Sequence, residues 1–264
     1  MPFADVNALR LWFERRGTGP RLLVIPGSGA DLRNGSSGAP LEPHFDVLTY
    51  DQRGLGRTTK PAGPYTMSDY AADAAALLDV VGWDRCHVLG ISFGGMVAQE
   101  LAIRHPARID RLVLACSSSG GAGGASAPLH EFAALPIDQR VNVQLEVLDR
   151  RHDHVWRAVH PEEVAAFRAR LERAAERDEE TLRGSRLQLE ARAGHNTHDR
   201  LAQISAPTLI AAGEFDGQAP PENQRALLGR IPGARLEYFH GGHGFIREDS
   251  AAYPRIARFL LTGE

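Results

Sequence analysis

Short apolar runs alternate along the chain with longer segments in which apolar residues recur at helical spacing. Apolar runs of about four to eight residues between turn residues are typical of buried parallel strands. They predict strands at 22–25, 45–50, 86–90, 111–115, 207–213 and 234–239, and a looser alternation predicts a hairpin at 2–16. Helical spacing predicts helices at 68–81 (capped by Ser68), 96–104, 138–148, 161–176, 179–193 and 250–261. Strands alternating with helices predict an α/β fold, with a mostly parallel central sheet and helices on both faces.

The alternation is interrupted after the sixth predicted strand. A Gly- and Ser-rich stretch at 117–126 predicts a flexible, hinge-like segment, and from 129 to 200 only helices are predicted. We therefore expect a core of residues 1–119 and 207–264, with a helical cap of residues 120–206 inserted after the sixth strand. The cap would cover the carboxyl ends of the strands, where open α/β sheets bind ligands.

Composition narrows the class of protein. With 43% hydrophobic and 24% charged residues the chain fits a globular protein with a sizeable core, and its net charge of -3 gives no sign of nucleic-acid binding. Cys86 and Cys116 lie in predicted strands, as reduced core cysteines do. The start lacks signal-peptide features, and no apolar run is long enough to span a membrane. We expect a cytoplasmic monomer or homodimer with no metal, cofactor, nucleic-acid or membrane partner.

The sharpest chemical signal is the sequence Gly-Ile-Ser-Phe-Gly at residues 90–94, between a predicted strand and a predicted helix. In this context G-x-S-x-G is a turn that projects a nucleophilic serine above the sheet. Gly90 and Gly94 let the backbone pass, and the positive end of the helix dipole favours negative charge at Ser92. We predict Ser92 as the nucleophile; the alternative is a glycine-rich turn of an ordinary α/β protein.

A serine nucleophile needs a base, and the base needs an orienting acid. His243 lies in Gly-Gly-His-Gly-Phe directly after the last predicted strand, which makes it the best candidate base, with His240 as its rival. Asp216 follows the strand at 207–213 and precedes the histidine, so we predict it as the acid, with Glu214 as the alternative.

An oxyanion hole needs two backbone amides near the serine. One should be that of Phe93, directly after the nucleophile, and the other that of Ser28, in the loop after the strand at 22–25. The hydroxyl of Ser28 is a candidate third donor. Four further residues are predicted to contact substrate, although the cap residues among them also fit a purely structural role: Gly27, Phe132, Leu148 and Trp156.

The loop at 51–56, Asp-Gln-Arg-Gly-Leu-Gly, follows another predicted strand. Its residues predict a structural ion pair between Asp51 and Arg53 that pins the loop beside the site. The loop lacks the third glycine and the helix start that a phosphate-binding loop requires.

Together these residues resemble the α/β-hydrolase superfamily over nearly the whole chain. The order Ser92, Asp216, His243 is similar to the family's order of nucleophile, acid and base, and the loop at 51–56 resembles its D-x-R-G-x-G loop. The cap and the segment 192–197 look most like small capped carboxylesterases and 3-oxoadipate enol-lactonase-like proteins. The resemblance implies the α/β-hydrolase fold and a serine hydrolase without a cofactor.

Two features limit the resemblance. Pro26 and Gly27 stand where many members have His-Gly, so the chain departs from the lipases with a His-Gly-Gly-Gly loop. Ser92 stands where haloalkane dehalogenases and epoxide hydrolases of this fold have an aspartate nucleophile.

The resulting hypothesis is hydrolysis of a small carboxylic ester or lactone through an acyl-enzyme. Perhydrolase or cofactor-free peroxidase chemistry and hydrolysis of carbon–carbon bonds are alternatives for the same triad. A non-catalytic ligand receptor is a further alternative, which tight ligand binding without turnover would favour. The sequence does not identify the substrate, since fold does not fix it.

Overall fold

The computed structural model describes residues 2–264; Met1, with which the predicted core begins, lies outside the described residues. Eight strands form one sheet: β1 (Phe3–Val6), β2 (Leu9–Arg16), β3 (Arg21–Ile25), β4 (Asp46–Tyr50), β5 (Cys86–Ile91), β6 (Ile109–Ala115), β7 (Thr208–Gly213) and β8 (Arg235–Phe239). Their order is β1-β2-β4-β3-β5-β6-β7-β8. β2 pairs antiparallel with β1 and with β4, and every pair from β4 to β8 is parallel. The predicted α/β fold with a mostly parallel sheet is confirmed.

Ten helices accompany the sheet in the part of the chain that the structure describes. They are α1 (Met67–Val80), α2 (Phe93–Arg104), α3 (Leu129–Phe132), α4 (Ile137–Leu148), α5 (His154–Val159), α6 (Pro161–Ala175), α7 (Glu179–Ala193), α8 (Pro221–Leu228), α9 (Phe245–Glu248) and α10 (Ala252–Thr262). The helices α3, α5, α8 and α9 were not predicted, because segments this short carry little periodicity. No helix among residues 2–264 combines the length and the apolar character needed to cross a bilayer.

Alternate residues of the parallel strands point to opposite faces of the sheet, and both faces are buried. Leu23 and Val88 belong to one apolar cluster, which α1 and α2 cover. Leu22 and Leu89 belong to a second cluster on the other face, which α10 covers. The sheet is therefore a rigid base on which the loops at the carboxyl ends of its strands are held.

The start of α1 differs from the prediction. Thr66, not Ser68, caps the helix: its side chain accepts a hydrogen bond from the N–H of Asp69, and the Asp69 carboxylate accepts one from the N–H of Thr66. This reciprocal arrangement satisfies two N–H groups that the helix itself leaves free. The Thr-x-x-Asp pattern therefore indicates the start of α1 better than Ser68 does.

The helices α3–α7 lie between β6 and β7, and α4 and α6 share a small apolar cluster. The predicted boundaries of the cap, 120 and 206, stay a prediction. The stretch at 117–126 differs from the flexible hinge that its composition predicts, because Ser117, Ser118 and Ser119 are fully buried. Its backbone also pairs with the far end of the insert through a bridge between Gly120 and Asn196.

The loop at 51–56 is pinned, but not by the predicted ion pair. Asp51 accepts hydrogen bonds from the backbone N–H groups of Leu32 (2.7 Å) and Arg57 (2.9 Å). Arg53 reaches α1 instead, where its Nε donates to Asp73 at 2.6 Å. Sequence adjacency suggested the wrong partner because α1, which supplies the acid, packs beside the loop only in the folded chain.

Replacing Asp73 with asparagine is expected to lower the free energy of unfolding by about 3 kcal/mol, because the buried Arg53 guanidinium then keeps only the partly exposed Asp69, at 3.9 Å, as a counter-charge. Asp79→Asn on the same helix is the matched control. The Asp79 side chain is 68% exposed beside Arg108, so its loss should cost about 1 kcal/mol or less. Urea denaturation of both variants checks this, and equal losses would contradict it.

Candidate active site

Ser92 stands between the end of β5 and the first turn of α2, at φ 54° and ψ −115°. This backbone conformation is costly for a residue with a side chain and persists only where its surroundings fix it. The N–H of Ser92 donates to the Ala115 carbonyl at 2.8 Å, and the Ser117 hydroxyl donates to the Ser92 carbonyl at 3.1 Å. Both partners belong to β6 or to the loop after it, so that part of the chain holds the strained serine in place.

The two glycines of the motif allow close backbone approach. A Cβ on Gly94 would lie 1.9 Å from the carbonyl oxygen of Ile25, and one on Gly90 would lie 2.5 Å from the carbonyl oxygen of Gly94. The first contact brings the end of β3 against the serine turn. The following loop, with Gly27, therefore lies beside Ser92: a Cβ on Gly27 would be 3.6 Å from that of Ser92.

Gly94→Ala is expected to lower the free energy of unfolding by about 3 kcal/mol, because the methyl group meets backbone of β3 that cannot rotate away. Gly229→Ala is the control: its φ is −69° and its added Cβ meets nothing closer than 3.5 Å. That change should be neutral or stabilising by about 0.5 kcal/mol. Thermal unfolding of the pair checks the prediction, which fails if Gly94→Ala unfolds at the wild-type temperature.

Ser92, His243 and Asp216 form one line of hydrogen bonds. Ser92 Oγ lies 2.8 Å from His243 Nε2, and His243 Nδ1 lies 2.8 Å from Asp216 Oδ2. The Asp216 side chain is 1% exposed, and its other oxygen accepts the N–H groups of Gln218 and Ala219, each at 2.8 Å. An acceptor fixed in this way keeps the imidazole proton on Nδ1 and leaves Nε2 free to take a proton from Ser92.

The two sequence alternatives lie outside this line. The Glu214 and His240 side chains are 48% and 70% exposed and lie 3.5 Å apart, oxygen to Nδ1. The other ring nitrogen of His240 contacts Arg151 at 2.9 Å. Because both side chains are exposed and contact each other, they are poorly placed to act as the acid and the base for Ser92.

The loop that carries His243 is fixed by α4. The N–H of His243 donates to the Leu148 carbonyl at 2.6 Å, and a Cβ on Gly242 would lie 2.2 Å from that same oxygen. The Leu148 side chain packs against the apolar cluster that α4 and α6 share. Leu148, predicted to contact substrate, thus contacts the histidine loop through its backbone, and its substrate contact stays a prediction.

Gln218 is a site residue that the sequence reasoning missed. Its side-chain Nε2 lies 2.7 Å from His243 Nε2 and 3.5 Å from Ser92 Oγ. An amide N–H there donates to the same nitrogen that would accept the serine proton, so Gln218 and Ser92 compete for one lone pair. The only sequence signal for Gln218 as a site residue is its position two residues after Asp216. That position does not indicate where the side chain points.

Two glutamines, also missed, hold the loop that carries Ser28. Gln52 donates to the Pro26 carbonyl at 2.6 Å, and the N–H of Gly29 donates to Gln188 of α7 at 2.8 Å. Phe93 is the first residue of α2, where a backbone N–H has no partner within the helix. The Ser28 loop thus lies beside the start of α2, and the oxyanion hole of the Ser28 and Phe93 amides stays a prediction.

A cavity of about 590 Å³ opens at Ser28 and Gly29 between the sheet and the insert; we call it the cap cavity. Its apolar lining residues come from α3 and the residue after it, from the end of α6 and from α7: Leu129, Ala133, Ala174, Ala175, Leu182 and Leu189.

Phe132 and Trp156 are predicted to line the pocket. Neither belongs to the wall that residues 2–264 form around the cap cavity. Ala133, the residue after Phe132, belongs to the wall. The ring of Trp156 stacks between those of His152 and His160, at 3.9 and 4.3 Å. The ring of Trp156 therefore contacts two histidines, and the substrate contacts predicted for Trp156 and Phe132 stay predictions.

The chain matches one family model and is similar to several known proteins. The family model for the alpha/beta hydrolase fold matches residues 20–249. A poly(3-hydroxyalkanoate) depolymerase from Ectopseudomonas oleovorans is 31% identical over 248 residues, which cover 90% of this chain and 83% of the relative. A protein from Azorhizobium caulinodans, provisionally named a carbamate hydrolase, is 28% identical over 279 residues, covering 100% and 97%. The enol-lactonase of Burkholderia xenovorans superposes with a TM-score of 0.80 at 25% identity, covering 99% of this chain and 100% of its own.

Proposed function

Because the chain belongs to the α/β-hydrolase family, we propose that it is a serine hydrolase that cleaves a small carboxylic ester or lactone. The observation that carries the proposal is the line from Ser92 through His243 to Asp216, with both hydrogen-bond distances at 2.8 Å. The relatives named for polyester depolymerisation and enol-lactone hydrolysis support the choice of an ester or lactone bond.

The proposed reaction has two halves. His243 Nε2 takes the proton of Ser92 while Oγ attacks the carbonyl carbon, and the N–H groups of Phe93 and Ser28 stabilise the oxyanion. His243 then gives the proton to the departing oxygen, which in a lactone stays in the same molecule. Water, activated by the same imidazole, releases the acid and restores Ser92.

The test is hydrolysis of p-nitrophenyl esters from acetyl to decanoyl, together with five- and six-membered lactones. We expect kcat/KM to peak among the short acyl chains, and a rapid first release of one p-nitrophenol per enzyme if deacylation is slow. Folded protein without turnover of any of these substrates would contradict the proposal and favour carbon–carbon substrates or a ligand receptor.

Carbamate hydrolysis is a second candidate, favoured by the provisional name of the Azorhizobium relative. The same nucleophile and base serve both reactions, since each begins with attack on a carbonyl carbon. A p-nitrophenyl carbamate in the same series separates them: faster turnover of the carbamate than of the acetate would favour this candidate.

A further inference from the structure

A second cavity, of about 220 Å³, is lined by Met96 of α2, by residues between 118 and 131, and by the end of α7. We call it the Arg192 cavity; its wall includes Met96, Ser118, Ser126, His130, Arg192 and His195. Met96 is one helical turn after Ser92, or about 6 Å along the axis of α2. His130 lines both this cavity and the cap cavity, so the two spaces are neighbours.

Arg192 is a buried cation without an ion-pair partner in the described chain, and the charge of Asp216 acts on it only from beyond 4 Å. It is 5% exposed and forms no ion pair with a carboxylate of residues 2–264. Its Nη1 donates to the Ala127 carbonyl at 2.6 Å, while its buried Nε has no partner among the described residues. A buried guanidinium is costly unless it is paired and hydrogen-bonded, so this arrangement favours a bound anion.

The other polar groups of the wall leave the charge of Arg192 uncompensated. The hydroxyl of Ser118 is fully buried and has no hydrogen-bond partner within residues 2–264. Burial lowers the pKa of His195 to about 4, so its ring is neutral at pH 7. Glu131 stands at the rim with a side chain 70% exposed, 3.7 Å from His130, where water screens its charge.

Backbone hydrogen bonds connect Arg192 to the Ser92 site. The N–H of Ala127, whose carbonyl accepts from Arg192, donates to the Gln218 carbonyl at 2.8 Å. The side chain of Gln218 lies within 3.5 Å of Ser92 Oγ. Asp216, the nearby acid, is already bonded to His243 and to two backbone N–H groups, so it is not available to pair with Arg192.

We propose that the substrate acyl group ends in a carboxylate, which Arg192 and the Ser118 hydroxyl bind while Ser92 attacks the ester or lactone carbonyl. This inference rests on the proposed function. The guanidinium supplies charge and fixed N–H donors, and the hydroxyl supplies one more donor. The cavity reaches Met96, about 6 Å along the axis of α2 from Ser92, so a chain of a few methylene groups suits the acyl group.

The charges around the cap cavity agree with an anionic substrate. Arg140, Arg177 and Arg186 line its wall, with Glu190 as the acid among its lining residues. Glu190 lies 3.7 Å from Arg186, which leaves the other two arginines in excess. A cleft lined by one sign of charge raises the local concentration of substrates of the opposite sign.

The test compares methyl hemiesters with neutral methyl esters of equal length: monomethyl succinate, glutarate and adipate against methyl butanoate, pentanoate and hexanoate. We expect kcat/KM for at least one hemiester to exceed that of its neutral partner by about tenfold or more. Arg192→Gln, which keeps a donor for the Ala127 carbonyl but loses the charge, should reduce this ratio by about tenfold. Arg173→Met removes an exposed arginine of α6 and should leave the ratio unchanged.

A ratio of one or less in the wild type, or an unchanged ratio in Arg192→Gln, would overturn the inference. Binding to the Ser92→Ala protein, measured by calorimetry with monomethyl adipate and the neutral methyl hexanoate, keeps the test independent of turnover and of the folding of Arg192→Gln. Tighter binding of the hemiester by about tenfold supports the carboxylate site, and equal binding refutes it. If neutral esters are hydrolysed without a preference for hemiesters, only this inference fails; if no ester is hydrolysed but the hemiester binds more tightly, only the proposed function fails.

Discussion

Replacing Ser92 with alanine is expected to lower kcat on any hydrolysed ester by about 10⁴-fold or more, because no acyl-enzyme can then form. The backbone of the turn should stay in place, since both of its anchoring hydrogen bonds use the N–H and the carbonyl of residue 92. Initial rates with a p-nitrophenyl ester, together with a thermal unfolding curve, check the prediction. A fluorophosphonate should add one mass label to the wild type, on the peptide with Ser92, and none to the variant.

Ser119→Ala is the matched control for this experiment. Ser119 is as buried as Ser92, and its hydroxyl donates to the Gly120 carbonyl at 3.2 Å without reaching His243. Its loss should cost about 1 kcal/mol of stability and leave turnover within a few fold of the wild type. Activity that survives in Ser92→Ala, or that disappears equally in Ser119→Ala, would argue against Ser92 as the nucleophile.

The parts of the site that the sequence predicted are those whose positions follow from the strands. Ser92, Asp216 and His243 each follow a strand of one parallel sheet, and the carboxyl ends of such strands meet at one edge. The order of the motifs along the chain was therefore enough to expect these three side chains to lie together. The glycines of the serine turn were also predictable from the local sequence, because glycine is needed wherever two backbone segments approach closely.

The parts that the sequence did not predict depend on packing between distant segments. Gln188 reaches the Ser28 loop across 159 positions of sequence, and Arg53 pairs with Asp73 across 20. Neither contact leaves a periodic pattern, since a polar residue on a helix is equally consistent with a solvated surface. Trp156 is a similar case, because its hydrophobicity does not indicate which neighbours its ring contacts.

Arg192 of α7 is a residue whose environment the sequence did not predict. In the sequence it is one of many charged residues of a helical region, for which a solvated face is the ordinary interpretation. In the fold it is buried, while Arg186 of the same helix is exposed. Arg192, at the end of α7, donates to the Ala127 carbonyl, whereas Arg186 stays exposed in the wall of the cap cavity.

Replacing Asp216 with asparagine is expected to lower kcat by about 10³- to 10⁴-fold with little change in stability. An amide keeps the shape of the carboxyl group but can present an N–H to His243 Nδ1, which favours the tautomer with its proton on Nε2. That tautomer cannot accept the proton of Ser92, and the imidazolium formed during the reaction loses its counter-charge.

Glu214→Gln is the control for Asp216→Asn, because it makes the same chemical change on the same loop. Glu214 is half-exposed beside His240 and contacts neither Ser92 nor His243 through a described hydrogen bond, so its kcat should stay within about twofold of the wild type. Steady-state rates with one ester decide between the two carboxylates. A large loss in Glu214→Gln with a small one in Asp216→Asn would mean that the loop rearranges in solution and that Glu214 orients the base. Equal small losses would mean that His243 acts without an acid partner. That result would contradict the proposed mechanism, in which Asp216 orients His243 through a buried 2.8 Å contact.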